Sequence, residues 1–184
     1  MPERPLYFCS QCGKPVVQQV PPGDNRPRYV CSECAEIHYQ NPRLVVGVVP
    51  AYGEQILLCR RSIEPRSGFW TVPAGFMELG ETLAEAALRE TWEEARAKVE
   101  LGPLFALVDV VGAGQVHAFF AGRLLRPEFA AGEETLEVRL FVPDAIPWED
   151  LAFPSVRIAL QRYLEDGPEL RGPVQLSTAP RIRW

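Results

Sequence analysis

The sequence of this chain of 184 residues predicts an α+β fold with a mixed β-sheet, preceded by a small cysteine-rich module. Three observations lead to it. Short β-branched runs recur along the middle of the chain, two amphipathic helical patterns interrupt them, and four cysteines lie close together before residue 40. Hydrophobic residues make up 47% of the chain and charged residues 23%, which is sufficient for a packed core.

The cysteine-rich module has the spacing of a metal site. Its two C-x2-C pairs are Cys9 with Cys12 and Cys31 with Cys34. Each pair presents two thiolates on one side of a tight turn, and two pairs complete a tetrahedron around Zn²⁺. A pair of disulfides is the alternative, but adjacent C-x2-C bridges are unusual as structural staples. We predict a structural zinc ribbon over residues 1–40, useful for folding or dimerisation, and expect the fifth cysteine, Cys59, to be a buried thiol.

Charge and hydropathy argue against several classes of protein. A net charge of −5 does not suit a protein whose main task is to coat nucleic acid or an anionic membrane. No run approaches the roughly 20 apolar residues of a membrane span, and the first residues lack the apolar segment of a signal peptide. We therefore expect a cytoplasmic protein that has no membrane partner and for which a nucleic-acid partner is disfavoured.

A second domain is predicted over residues 41–166. The apolar runs at 44–49 and 55–59 flank a turn and predict a β-hairpin. Residues 60–80 are punctuated by proline and glycine, so they predict a long loop with one short strand near 69–72.

The remaining elements follow in the same way. Further strands are predicted near 104–111, 116–125 and 137–142, with a loop over 126–134. A second amphipathic helix over 154–164 places Val156, Ala159, Leu160 and Tyr163 on one face. Residues 167–184, rich in proline and glycine, predict a loose C-terminal tail.

The first helix, within GETLAEAALRETWEEARA at 80–97, carries more glutamates than its two arginines can pair. At about 100° per residue the predicted core stripe is Ala84, Leu88, Thr91, Trp92, Ala95 and Val99. Glu90, Glu93 and Glu94 fall on the other side, close enough to repel one another. Hard divalent cations relieve such repulsion because they prefer oxygen ligands. A merely solvated acidic face is the alternative.

The residues around this helix form a longer pattern. From Gly75, the chain reads G-x5-E-x7-R-E-x-x-E-E and ends at Glu94. This pattern resembles the Nudix hydrolases, and the resemblance extends over about residues 41–166. It implies an α/β/α sandwich with a mixed sheet. One position departs from the family pattern, because Arg96 stands where the box normally has a glycine. A glycine there would end the helix in the left-handed conformation, so Arg96 either adopts it at about 1–2 kcal/mol or the helix runs on.

The resemblance also implies roles for individual residues. Metal ligands for Mg²⁺ or Mn²⁺ would be Glu90 and Glu94, with Glu93 as a further ligand and a backbone carbonyl near Ala74 or Gly75. Arg89 would form the ion pairs that orient this set, and Glu81 would tie the loop to the helix. A surface i,i+4 pair is the alternative interpretation of Arg89.

A general base is needed to activate the attacking water, since the anionic diphosphate repels nucleophiles. The candidates are Glu90 on the helix and Glu134 or Glu137 beyond the 126–134 loop, a region where many Nudix enzymes place a catalytic glutamate. The sequence does not choose among them, and an exposed loop acid is commonly only a solvated charge.

The substrate implied by the resemblance is a nucleotide with a diphosphate linkage. A zinc ribbon joined to a Nudix domain is similar to NADH pyrophosphatases and to FAD or ADP-ribose pyrophosphatases. The SQPWPFP-like array of the NADH group has only a late partial counterpart at 153–155, so FAD or ADP-ribose is favoured. An inert nucleotide-sensing or RNA-binding module is a further alternative, but all of the box acids are present. A homodimer is expected from the resemblance alone.

Substrate contacts are expected from a small set of residues. Arg60 offers a positive charge close to the box, and large aromatic rings could stack on a base. These rings are Trp70, Phe76 and, less directly, Phe119, although a large aromatic is more often a core residue.

Overall fold

The computed structural model describes residues 5–167 and 172–181. The chain divides into two compact units, Met1–Pro42 and Arg43–Trp184. The break after Pro42 lies two residues beyond the boundary predicted at residue 40. In the described part of the chain, neither helix combines the length and the apolar character that crossing a bilayer requires.

The first unit is a three-stranded antiparallel sheet in the order β1-β2-β3. The strands are β1 (Val16–Gln19), β2 (Arg28–Cys31) and β3 (Ile37–His38). The turns beside the two cysteine pairs use left-handed residues, Gly13 with φ 71° and Ala35 with φ 59°. These tight turns bring the cysteines of each pair to one side, as the C-x2-C spacing predicts.

The second unit is built on a mixed sheet in the order β10-β5-β4-β9-β8-β11, with β6 paired to β5 and β7 to β4. Its strands are β4 (Arg43–Tyr52), β5 (Gln55–Arg61), β6 (Trp70–Thr71), β7 (Ala74–Phe76), β8 (Val99–Val110), β9 (Gln115–Leu124), β10 (Thr135–Phe141) and β11 (Gln175–Thr178). The pairs β4 with β9 and β8 with β11 are parallel, and the others are antiparallel.

Two helices cover opposite faces of this sheet. They are α1 (Leu83–Ala95) and α2 (Pro154–Asp166). On β4, Val48 packs with the alanines of α1, whereas its neighbour Val49 belongs to the cluster that contains α2. Successive strand residues point to opposite faces, so the helices must lie on opposite sides. The predicted α/β/α sandwich is confirmed, as is the apolar face of α2.

The predicted core stripe of α1 is largely wrong. Ala84, Leu88 and Trp92 are exposed, and Val99 belongs to β8. The buried residues are Ala86, Ala87, Glu90, Thr91, Glu94 and Ala95. The small alanines let the helix lie close against Val46 and Val48 of β4, which turns the glutamates inward. The prediction placed the large apolar side chains of α1 toward the core. In the structure, close packing of the α1 backbone against β4 sets the rotation of the helix about its axis instead.

The predicted loose tail is wrong for the residues that the structure describes. Strand β11 adds to the sheet in parallel with β8, with Gln175 opposite Ala106. Ala179 is buried in the core, and its N–H donates to the Asp109 carbonyl at 2.9 Å. The surrounding prolines and glycines predicted a loop, although a four-residue strand lies among them. Residues 168–171 and 182–184 of the predicted tail lie outside the described residues.

Acid sensitivity is predicted from His117 on β9, whose ring is buried. Its Nε2 lies 2.8 Å from Gln115 Oε1 and its Nδ1 lies 2.9 Å from Ser155 Oγ. The Gln115 oxygen can only accept, so Nε2–H donates to it and Nδ1 accepts from the serine hydroxyl. Burial lowers the pKa of His117 to about 4. The unfolded chain, with a pKa near 6.5, therefore takes up a proton that the folded chain does not.

We expect this histidine's contribution to be fully retained above about pH 6.5 and lost as the pH falls toward 4. The loss should amount to about 3 kcal/mol of unfolding free energy. Urea unfolding of the wild type and of His117→Gln between pH 4 and 8 measures it, because glutamine does not titrate. Equal pH slopes for the two proteins would contradict the assignment.

Arg96 ends α1 in the left-handed conformation, with φ 49° and its N–H donating to the Trp92 carbonyl at 2.9 Å. We expect Arg96→Gly to stabilise the protein by about 0.5–1 kcal/mol, net of the greater freedom of glycine in the unfolded chain. Lys98→Gly is the matched control, because both cations lie about 6 Å from the Trp92 ring but only Arg96 has a positive φ. Thermal unfolding should separate them, and equal shifts would disprove this account.

Candidate active site

The candidate site begins with a close approach between β7 and α1. A Cβ atom built on Gly75 would lie 2.3 Å from the carboxyl group of Glu90. Only glycine therefore lets the Glu90 side chain rest against the β7 backbone. The neighbouring residue contributes a second contact, since the Ala74 N–H donates to Glu94 Oε2 at 3.0 Å. Both helical carboxylates are thereby held beside the first residues of β7.

Arg89 connects the loop before α1 to the acidic residues on it. Its guanidinium binds Glu81 through two nitrogens, at 3.0 and 2.6 Å, and donates to the Phe76 carbonyl at 3.1 Å. Its Nη1 also donates to Glu90 at 2.7 Å and to Glu93 at 3.1 Å. This arginine is therefore the centre of the network and far more than a surface i,i+4 pair. The guanidinium lowers the pKa of Glu81 to about 2.

Glu90 and Glu94 are buried acids, each 8% exposed and one turn apart. Burial raises the pKa of Glu94 to about 8, against the opposing effect of the Ala74 N–H. Burial also raises the pKa of Glu90, although Arg89 opposes this. Glu93 lies outside, with half of its side chain exposed. The protein thus holds two carboxylates where their negative charge is unfavourable unless a cation is near.

The donor set suits a hard divalent cation. Mg²⁺ is usually held by one or two carboxylates together with substrate phosphates and water, and Glu90 and Glu94 supply two carboxylates. In residues 5–167 and 172–181, however, only the four cysteines form a group of three or more ligand-type side chains arranged to share an ion. The carboxylates of α1 are instead held by Arg89 and Ala74, as described above.

The loop at 126–134 packs on the C-terminal end of α1. The Gly132 N–H donates to the Glu94 carbonyl at 3.0 Å, and the Ala130 N–H donates to the Ala95 carbonyl at 2.9 Å. A Cβ atom on Gly132 would lie 1.7 Å from the Glu93 carbonyl oxygen, so this contact requires glycine. The loop therefore satisfies carbonyls that the end of a helix leaves free. Nothing in the sequence analysis predicted this contact.

Two candidate bases lie at the end of this loop and just beyond it, Glu134 and Glu137, and their surroundings differ. Glu134 is exposed, and its negative charge helps to raise the pKa of both Glu90 and Glu94. Glu137 is paired with Arg139, and one of its oxygens lies 3.9 Å from Arg60. Glu134 is therefore the freer of the two loop acids.

Arg61 is a residue near these acids that the sequence analysis did not single out. Its charge lowers the pKa of Glu94, against the larger effect of burial. Its guanidinium also lies 5.1 Å from the Phe153 ring centroid. Arg60, the predicted substrate contact, points elsewhere and donates to the Gly68 carbonyl at 2.8 Å. Pairing of β5 with β10, which places Arg61 opposite Thr135, brings Arg61 to the site.

The predicted aromatic contacts divide into one accessible ring and two core residues. Phe76 is 44% exposed beside the box, with the Arg43 guanidinium 4.5 Å from its ring centroid. Trp70 is 8% exposed and packs edge-on against Phe141 at 4.9 Å, so its proposed stacking role is corrected to a core role. Phe119 is fully buried and is corrected in the same way. Trp70 and Phe119 belong to the same buried hydrophobic cluster.

The four cysteines of the first unit are free thiols, so the disulfide alternative is wrong. Their sulfurs lie within 4.8 Å of one another, and three separations are 3.4, 3.5 and 3.7 Å. Tetrahedral coordination at about 2.3 Å requires sulfurs about 3.8 Å apart, which these distances approach. Backbone N–H groups of Gln11 and Glu33 also donate to the Cys9 and Cys31 sulfurs. The cluster therefore fits one Zn²⁺ ion.

Two protein-family models match the chain. The model described as Nudix N-terminal matches residues 7–40, and the NUDIX domain model matches residues 41–162. Among solved structures, a NUDIX hydrolase from Nitrosomonas europaea shares 46% identity with a TM-score of 0.89. The alignment covers 94% of this chain and 98% of that one.

Two curated relatives carry more specific names. The ADP-ribose pyrophosphatase of Methanocaldococcus jannaschii is 31% identical over 65% of this chain and 72% of its own. The NAD-capped RNA hydrolase NudC of Edwardsiella ictaluri is 37% identical over 50% of this chain, and the match spans only 34% of that protein. With its box network, cysteine cluster and matched domains, the chain belongs to the Nudix hydrolase family.

Proposed function

We propose that this protein is a Mg²⁺- or Mn²⁺-dependent pyrophosphatase that hydrolyses the diphosphate linkage of a nucleotide such as FAD or ADP-ribose, with AMP as one product. The observation that carries the proposal is the pair of buried carboxylates, Glu90 and Glu94, held against a glycine-containing strand. Two acids kept in an unfavourable environment at one end of a helix are typical of a functional site.

The ligands of the cation would be Glu90 and Glu94, with Glu93 as a further ligand and the Ala74 carbonyl nearby. A bound divalent cation supplies charge neutralisation to the diphosphate oxygens and makes water a stronger acid. Arg89 holds Glu90 and Glu93 in position through its three-way ion pairing. Zn²⁺ in the cysteine cluster would be structural.

Glu134 would accept the proton of the attacking water. Its charge influences Glu90 and Glu94, and the contact of Gly132 with α1 fixes the loop that precedes it. Glu90 itself is the other candidate, but its oxygen is already bound by Arg89. Arg61, close to Glu94, is placed to balance the charge of a substrate phosphate.

The nucleotide base would stack on Phe76. This ring is accessible, its backbone is held by Arg89, and Arg43 lies over it. The name of the Methanocaldococcus relative supports ADP-ribose as the substrate. The NudC relative supports an NAD-type dinucleotide as a second candidate, free or at the end of RNA. Both classes offer a flat base and a diphosphate, so one site can be tested for both.

The test is a Mg²⁺-dependent hydrolysis screen with FAD, ADP-ribose, NADH and NAD-capped RNA, in which the products are separated by chromatography. We expect FAD or ADP-ribose to have the highest kcat/KM and to yield AMP. A clear preference for NADH or capped RNA would replace our substrate with the second candidate. Negligible turnover of all four by folded, zinc-loaded protein would overturn the enzymatic proposal.

Glu94→Gln should lower kcat by at least about 100-fold, which corresponds to about 2.7 kcal/mol of transition-state stabilisation. Glutamine can still accept from the Ala74 N–H but does not bring the charge that a divalent cation needs. Folding should be retained, because a neutral group replaces a buried acid. Glu165→Gln, a mostly exposed carboxylate on α2, is the matched control and should leave kcat unchanged. Near-wild-type turnover of Glu94→Gln in Mg²⁺ buffer would disprove the ligand assignment.

Zinc content tests the role of the cysteine cluster. The purified protein should contain about one Zn²⁺ per chain, and Cys31→Ser should lose it together with the hydrogen-exchange protection of the first unit. Cys59→Ala is the matched control, because Cys59 is buried in the core of the second unit and is not one of the four clustered cysteines. Full zinc occupancy in Cys31→Ser would rule out tetrahedral coordination by the four cysteines.

A further inference from the structure

Phe76 and Arg43 share the face of the large sheet on which α2 lies. Phe76 pairs with Val45 of β4, and residues directly opposite one another on neighbouring strands project to the same face. Arg43 and Val49 stand at alternate positions along β4 from Val45, so they project to that face as well, and the cluster of Val49 contains α2. Gly75, which meets the box helix, faces the other way. The Phe76 ring is thus one residue along β7 from the box.

Strand β7 is short and has an open edge, so it does not separate this ring from the box carboxylates. It has three residues, and within the described part of the chain β4 is the strand that pairs with it. The Phe76 carbonyl accepts a hydrogen bond from Arg89, so the central arginine of the box lies at this strand. A ligand that lies across the open edge can therefore reach the ring and the box together.

Gln115 stands beside Arg43 on the same face, because β4 and β9 pair with Arg43 opposite Gln115. A chain of hydrogen bonds from α2 fixes its amide. The buried Ser155 hydroxyl has His117 Nδ1, at 2.9 Å, as its one partner among the described residues, so it donates to that nitrogen. Nε2–H of His117 then donates to Gln115 Oε1 at 2.8 Å. The amide oxygen is turned toward His117, and the NH₂ group is turned away from it.

The polar groups that Arg43 and Gln115 offer are hydrogen-bond donors. In residues 5–167 and 172–181 the Arg43 guanidinium has no carboxylate partner, and it lies 4.5 Å from the centroid of the accessible Phe76 ring. The Gln115 NH₂ group makes no hydrogen bond within the same residues. Arg43 is exposed and Gln115 is partly exposed, so a ligand can reach both. A guanidinium has donors and no acceptor.

We propose that Arg43, Gln115 and Phe76 select a ring whose edge carries carbonyl oxygens, as in uracil, hypoxanthine or isoalloxazine. Carbonyl oxygens accept from these donors, whereas an amino group at the same place, as in cytosine or adenine, would set donor against donor and leave it unpaired. Phe76 stacks on either kind of ring and so adds affinity without choice.

The inference rests on the proposed function and makes it more specific. Isoalloxazine carries carbonyl oxygens, whereas the ring of ADP-ribose is adenine. FAD is therefore the better substrate of the two. The three side chains act on specificity and take no part in the attack of water.

The test is an NMR titration of the full-length, zinc-loaded protein with nucleoside monophosphates in buffer without Mg²⁺ or Mn²⁺. UMP and CMP form one matched pair, and IMP and AMP form another, because in each pair a carbonyl group replaces an amino group. We expect UMP and IMP to bind at least about fivefold more tightly than CMP and AMP. FMN, which carries isoalloxazine, should bind as well.

Variants separate choice from stacking. Gln115→Ala and Arg43→Ala should each weaken UMP binding about fivefold and change CMP binding little, so the ratio of the two affinities falls. Phe76→Ala should weaken the binding of both by the same factor. The matched controls are Gln161→Ala, an exposed amide on α2, and Arg123→Ala, an exposed cation at the other end of β9, and both should bind like the wild type.

Three results would overturn the proposal. These are no binding of any of these nucleotides by the wild type, equal or inverted affinities within the two pairs, and wild-type ratios in both Gln115→Ala and Arg43→Ala. The probes lack a diphosphate linkage and the buffer lacks the catalytic cation, so failure of the hydrolysis screen would leave this preference intact. Turnover of FAD without any preference for carbonyl rings would instead support the pyrophosphatase and remove this ring site.

Discussion

The guanidinium of Arg89 is the interaction on which the rest of the site depends. It binds the loop through Glu81 and the Phe76 carbonyl, and it binds the helix through Glu90 and Glu93. A planar group with several donors in a fixed fork can hold all of these acceptors at once, which lysine could not do. Because the loop and the helix are both bound by this one side chain, Arg89 fixes the position of the helical carboxylates relative to the β7 backbone.

This fixed arrangement is electrostatically unfavourable, because it holds several carboxylates close together. The alanines of α1 pack so closely on β4 that Glu90 and Glu94 are carried to the buried side of the helix. Their pKa values rise, and one guanidinium does not balance three carboxylates. A divalent cation bound by both carboxylates would relieve this conflict. The same helix holds the 126–134 loop through its terminal carbonyls, so the box glutamates and the loop that carries Glu134 are positioned by one element.

Motifs with fixed local spacing were predicted well. The cysteine pairs and the apolar face of α2 each depend on residues a few positions apart, and both appear as expected. The stripe of α1 was predicted wrongly because side-chain size misled the choice of face. The C-terminal strand was missed because four residues between prolines give too weak a local signal, and its pairing with β8 is a long-range contact. Trp70 was assigned to the substrate because exposure of an aromatic ring cannot be read from its neighbours in sequence.

By itself, the sequence determined the composition of the site: four thiols at zinc spacing, the glycine with which the box begins, and an arginine with its acids on one helix. Spacing along a chain is enough for this, because turns and helices are local structures. Only the tertiary structure decided which acids are buried, that the charges of Arg61 and Glu134 act on them, and that Phe76 is accessible while Trp70 and Phe119 are not. Those properties depend on strand pairing and on the rotation of α1 against the sheet, which are set by contacts between residues far apart in sequence.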